Sequence, residues 1–213
     1  AKAPATYVDV YKSIRSEPSQ TEWELPTKPP VIKAKTTLNV KGFGAKADGK
    51  TNDAEAFVKA LAKLKETGGT LNVPAGDYLL KPLADASSYP FTKLRHHLLL
   101  ASAKDVAIIG EKGKSNLIFT DPNAQGLRFL DVNGLIVKDL SLSLTTRRAT
   151  RHNRALLDLS ACRNAWVEGV TAKDSTGVGI QVECSTNVTV TDCSAINSGT
   201  NGFRLLGSRQ LLF

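Results

Sequence analysis

The sequence predicts an all-β solenoid, in which a single chain winds into a parallel β-helix closed at its N-terminal end by a short capping helix. Three observations carry this. Short apolar strands recur at fixed intervals through the second half of the chain. Turn-forming residues separate them at matching positions. Ahead of the first recurrence lies a segment punctuated by glycine and proline that holds one amphipathic helical stripe.

Residues 1–36 stand apart from the rest. Tyr7, Val10, Tyr11 and Ile14 recur at helical spacing, which predicts a short amphipathic helix. Pro18, Pro26, Pro29 and Pro30 then break any regular element. This is read as an arm packed on the main body through Tyr7, Tyr11 and Trp23. The β-helix follows over 37–213.

The span Leu38 to Leu80 is the most specific. Leu38–Val40 reads as a strand, and Gly42, Gly44 and Gly49 mark a loop. Thr51, Asn52 or Asp53 caps a helix whose stripe is Ala54, Phe57, Val58, Leu61 and Leu64. Gly68 and Gly69 end it. Thr70–Val73 is a strand, Pro74-Ala75-Gly76 turns, and Tyr78–Leu80 is the next strand.

This span resembles the opening of the pectate-lyase-like β-helix families, through Gly44-Ala45, Asp48-Gly49, Thr51, Asp53, Gly68-Gly69, Pro74, Gly76 and Tyr78. It departs at Ala47, where glycine is usual, and at Asn52, where aspartate is usual. The resemblance implies a right-handed coil sense and makes Asp48 and Asp53 turn and cap residues rather than catalytic ones.

The repeats support the same fold independently. First strands start at Leu98, Leu127, Leu157, Ile180 and Phe203, and the last intervals suit one short coil each. A second set runs through Val106, Leu135, Ala165 and Val188, and a third through Leu140, Val170 and Cys193. Gly110, Asp139, Gly169 and Asp192 turn between the second and third sets, with Gly177 and Gly199 after the third. Alternation within strands points Arg128, Asp158, Gln181 and Arg204 outward, as a ladder on one exposed face. Ile136, Trp166 and Thr189 point outward in the second set, as do Lys138 and Glu168.

Lys and Arg total 28 against 20 Asp and Glu, a net charge of +8, which suits anionic partners. The run from Thr145 to Arg154 carries Arg147, Arg148, Arg151, His152 and Arg154 with no acid, and is placed as a loop over the Arg128 ladder. Arginine forks grip carboxylate or sulfate oxygens. These arginines, His152, Asp158, Gln181 and Trp166 are therefore the candidate substrate-binding residues, and the expected partner is an acidic polysaccharide. No stretch is apolar and long enough to predict membrane insertion.

Relatives in the resembling families are lyases, polygalacturonases, epimerases, glucanases, tail spikes and adhesins. The polygalacturonase and mannuronan-epimerase signatures are missing from this sequence. Asp158, Glu168, Asp174 and Glu183 read as scattered rather than paired on one face. These readings, with the basic excess, favour a lyase acting on a uronate polymer; a non-catalytic carbohydrate-binding, tail-spike-like or structural β-helix is the alternative. Catalytic residues stay unassigned. Ca²⁺ is a possible cofactor, since it can neutralise a uronate carboxylate, but no protein-metal site is expected: His96-His97 lacks acidic or cysteine partners. Cys162, Cys184 and Cys193 are expected as free buried thiols. Secretion to an extracellular or periplasmic space is the expected location. The final apolar run, Leu205, Leu206 and Leu211 to Phe213, predicts that the last coils are lacking and that further protein covers this end, whether missing coils, a separate chain or an oligomer.

Overall fold

The computed structural model describes residues 27–82, 95–146 and 154–213. The expected arm helix at Tyr7–Ile14, Trp23, and Arg147, Arg148, Arg151 and His152 of the basic run lie outside them.

Parallel strands stack into coils with three faces. The first face holds the leading halves of the long strands His96–Gly110 and Gln125–Lys138, then Ala155–Ser160, Val178–Glu183 and Phe203–Leu206. The second holds Thr37–Asn39, Gly69–Val73, the trailing halves of the two long strands, Arg163–Glu168, Thr186–Thr191 and Arg209–Leu212. The third runs from Asp48–Asn52 through Gly76–Leu80, Ser115–Phe119, Ser141–Leu144 and Thr171–Lys173 to Ser194–Ile196. The predicted register holds: Leu98, Leu127, Leu157, Ile180 and Phe203 stack in turn. Inward side chains from all three faces fill one core, including Leu127, Phe129, Leu135, Leu157, Val167, Ala172, Ile180 and Val188.

The helix α1 spans Ala54–Thr67 and closes the N-terminal end. Its stripe buries Phe57, Leu61 and Leu64, and the Phe57 ring meets Tyr78 edge-on at 5.3 Å. Val58, assigned to the stripe from sequence, is exposed instead. Gly68 caps the helix, and Gly69, at φ 100, opens the next strand where a Cβ would lie 2.2 Å from the Thr36 carbonyl oxygen, so only glycine fits.

Asp53 precedes the helix but makes no side-chain cap. Its buried carboxylate instead accepts from the Lys46 and Ala47 amides at 2.7 and 3.0 Å, fastening the preceding loop. Asn52 Oδ1 takes the capping role, accepting from Ala54 N at 3.3 Å and from Lys81 N at 3.0 Å. Asp48 accepts from Lys50 N, Thr51 N and Thr51 Oγ1, and these bonds hold its carboxyl down at about 2. Asp48 is the turn residue that the resemblance implied; the capping role expected of Asp53 is corrected, because its carboxylate is taken up by the loop amides before the helix.

The corners are built from left-handed residues stacked in columns. Asp139, Gly169 and Asp192 turn the second face into the third, as expected. Two further columns carry no glycine rule. Ser102, Asp131, Ala161, Cys184 and Gly207 turn the first face into the second, at φ from 49° to 56°. Asp105, Gly134, Asn164, Asn187 and Gln210 kink the second face. All three cysteines are free; Cys162 and Cys184 are buried and Cys193 half-buried. Burial pushes the Cys162 thiol up to about 12, which makes it unreactive.

Candidate functional site

The first face carries the ladder that alternation predicted. Arg128 pairs with Asp158, Asp158 with Gln181, and Gln181 with Arg204, one residue per coil. A second outward column, two residues further along each strand, holds Leu130, Ser160, Glu183 and Leu206. Ala155–Ser160 and Val178–Glu183 supply the polar centre, and their alternating apolar neighbours anchor them to the core.

The expectation of an exposed face is corrected. Arg128, Asp158 and Gln181 retain only 6%, 0% and 4% of their accessible surface, so the ladder is outside the core yet covered. Alternation reports which side of a strand a residue takes, not what lies above it. Of the polar residues in the two columns, only Arg204 and Glu183, both half-buried, reach solvent.

The cluster is tightly linked. Arg128 Nε lies 3.1 Å from Asp158 Oδ2, off the hydrogen-bond direction, so the contact is ionic. Asp158 Oδ1 accepts from Ser160 Oγ at 3.0 Å and from Gln181 Nε2 at 3.3 Å. The same Gln181 amide nitrogen donates to Glu183 Oε2 at 3.4 Å. Asp158 and Glu183 are therefore joined through one amide on one face, and the expectation of scattered carboxylates is wrong. The sequence hid this because the link crosses coils. Complete burial raises the Asp158 carboxyl above its ordinary range; the Arg128 charge, and the Ser160 and Gln181 bonds, offset part of that. Gln181 Oε1 is buried without a hydrogen-bond partner.

Arg154 stands at the edge of this cluster, half-buried, with Nε donating to the Asn123 carbonyl at 3.1 Å. Burial lowers its guanidinium below the usual range, and the Arg128 charge adds to the shift. Two guanidinium charges that oppose each other in this way favour an anion between them. Arg95 pairs with Asp121 at 2.8 Å on the same corner.

His97, singled out by sequence as an unlikely metal ligand, is a bridge between coils. Its Nδ1 donates to the Gln125 carbonyl at 2.9 Å, and Nε2 accepts from Thr120 N and Asp121 N. That pattern fixes one neutral tautomer, and burial lowers its pKa to match. No group of three or more His, Cys, Asp or Glu among the described residues could hold a metal.

Trp166 does not join the ladder. It lies half-buried on the second face, where its Nε1 donates to Glu168 Oε2 at 2.9 Å and Glu168 Oε1 meets Lys138 Nζ at 2.6 Å. Thr189, expected to point to solvent beside it, is buried.

The family model described as rhamnogalacturonase A/epimerase, pectate lyase-like, matches residues 37–213. The chain belongs to this pectate-lyase-like family. It is 28% identical over 219 residues to a probable polygalacturonase of Arabidopsis thaliana, covering 83% of this chain and 46% of that protein. It is 24% identical over 198 residues to the pre-neck appendage protein of Bacillus phage phi29, covering 78% of this chain and 21% of the phage protein. Among solved structures it resembles the A-module of the mannuronan C-5 epimerase AlgE6 from Azotobacter vinelandii. That likeness has a TM-score of 0.60 and 21% identity, and covers 81% of this chain and 55% of the module. The pectate-lyase-like chain thus spans less than half the length of these two sequence relatives.

Proposed function

We propose that this pectate-lyase-like chain acts on an anionic, uronate-containing polysaccharide held against the first face, and that the reaction is β-elimination. One observation carries the reading: a carboxyl pair bridged by Gln181 lies in one outward ladder with Arg128 and Arg204, and Arg154 stands close enough to Arg128 to feel its charge. In this reading Arg154 and Arg204 hold the uronate carboxylate and spread its charge, which acidifies the neighbouring C5 proton. Glu183, the accessible carboxylate, takes that proton. The electron pair forms the C4–C5 double bond, the C4–oxygen bond breaks, and the leaving oxygen gains a proton from water. Asp158 acts as a positioning residue, setting Arg128 and Gln181. In this reading Arg147, Arg148, Arg151 and His152 add further positive charge for the polymer. A polymer of this kind is met outside the cytoplasm, which is where the reading places the protein.

The shared amide between Asp158 and Glu183 favours a second reading, glycoside hydrolysis, in which two carboxyls divide the acid and base roles. Incubation with pectate, alginate and glycosaminoglycans separates the two. Ultraviolet absorbance of an unsaturated product supports elimination, and new reducing ends without it support hydrolysis. Binding with neither product overturns both and leaves a carbohydrate-binding β-helix. Loss of product with Glu183→Gln, at retained binding, is the expected result.

A further inference from the structure

The kink in the second face has a consequence outside the ladder cluster. Asn133, Asn164 and Asn187 are joined side chain to side chain across three successive coils. Asn164 Nδ2 donates to Asn133 Oδ1 at 2.8 Å, and Asn187 Nδ2 donates to Asn164 Oδ1 at 2.5 Å. The chain of amides has polarity. Asn133 Nδ2 is left as a donor at one end and Asn187 Oδ1 as an acceptor at the other, neither used by a described residue. Asn164 and Asn187 sit at φ 52° and 58°, where asparagine is one of the few side chains that settles readily, so the kink itself selects the amides.

These amides line a groove of 450 Å³ between the second face and the segment leading to the first strand. Lys28 and Lys33 border it from that segment and Lys104 from the coil before Asn133, with Asp105 as the one acid among the described lining residues. Among the described residues none of the three lysines forms an ion pair. Among the described residues the groove is thus positive and carries both a free donor and a free acceptor. It lies on a different face from Asp158 and Gln181.

We infer that this groove is a second binding site, for a short stretch of acidic glycan. Three amides stacked at about 4.8 Å per coil span roughly 10 Å, the length of about two sugar rings. Sugar hydroxyls both donate and accept, which matches a polarised amide column. The lysines would hold carboxylate or sulfate oxygens as point charges. A nucleic acid fits less well: its phosphates offer acceptors only, and among the described residues no aromatic side chain lines the groove for base stacking. The ligand class rests on the polysaccharide reading above, but the site is separate from the first face, so the polymer could be gripped at one place and processed at another.

The test is titration of the chain with a saturated oligogalacturonate, followed by calorimetry and by ¹H–¹⁵N spectra of the asparagine side-chain amides. Two sites are expected. Lys33→Ala with Lys104→Ala should weaken one of them about tenfold and abolish the shifts of Asn133, Asn164 and Asn187. Arg204→Ala should weaken the other and leave those shifts in place. Raised salt should weaken the groove site. A single site lost only with Arg204→Ala overturns this inference and leaves the polysaccharide reading standing. A single site lost only with the lysine pair upholds the groove and removes the first-face reading. Asparagine shifts of equal size with a neutral oligosaccharide, or larger ones with a single-stranded oligonucleotide, overturn the assigned ligand class. No binding at either face overturns the inference as well.

Discussion

Arg128 and Asp158 occupy equivalent positions on neighbouring coils, with Nε and Oδ2 3.1 Å apart and both side chains almost wholly withdrawn from water. Such a pair contributes little net stability, because desolvation offsets attraction, yet breaking it strands a buried charge. Arg128→Ala or Asp158→Ala should each lose about 3–5 kcal/mol, and the double variant should lose less than the sum. Urea denaturation measures this. A single variant within about 0.5 kcal/mol of the parent chain would contradict the burial.

Ala47 holds φ 58°, a left-handed conformation, with its Cβ against the position of Gly76. Family relatives usually have glycine here, and the geometry gives the reason: a Cβ in this region costs about 1–2 kcal/mol. The unfolded chain gains freedom with glycine, which returns part of that. Ala47→Gly should therefore stabilise the protein by up to about 1 kcal/mol. A lowered melting temperature would mean the methyl packs more usefully than the backbone suffers.

His97 is neutral in the fold because burial lowers its pKa from 6.5, against the smaller opposing pull of its Gln125 bond and Asp121. Below that value the unfolded chain binds a proton that the folded chain refuses. Its contribution is therefore complete above pH 6.5 and is lost as pH falls, by at most about 1.4 kcal/mol per pH unit. Thermal melts at about pH 8 and pH 5 bracket the transition. His97→Asn should be less stable at both but show a smaller drop between them. Identical drops would remove His97 from the cause.

The final coil leaves Phe203, Leu205, Leu206 and Phe213 at 40%, 44%, 38% and 51% exposure, with the two phenylalanine rings edge to face at 6.3 Å. Phe203 and Leu205 continue the inward columns of Ile180 and Val182. We propose that further protein covers this surface, whether coils, a separate chain or another copy, pairing its backbone and covering its apolar side chains. Residues 1–213 expressed alone should self-associate with rising concentration in sedimentation, and Leu205→Glu with Phe213→Glu should reverse it. A monomer at all concentrations would count against the proposal.

The sequence by itself determined the solenoid. Period and alternation are local properties, so the stacking of Leu98 through Phe203, the outward side of Arg128, Asp158, Gln181 and Arg204, and the helix at Ala54–Thr67 were all legible. So was the role of Asp48 as a turn residue. Only the tertiary structure decided what those positions experience. Burial of the ladder depends on what lies over a face, and no pattern along one strand encodes it. The Asp158–Gln181–Glu183 link joins side chains on adjacent coils, and the Asn133–Asn164–Asn187 column needs the kink that brings three coils into line. Trp166 was legible as a second-face residue, but the Glu168 it bonds is tied in turn to Lys138 on the neighbouring coil. In a β-helix the sequence specifies each rung, while chemistry arises between rungs, where side chains distant along the chain lie about 4.8 Å apart.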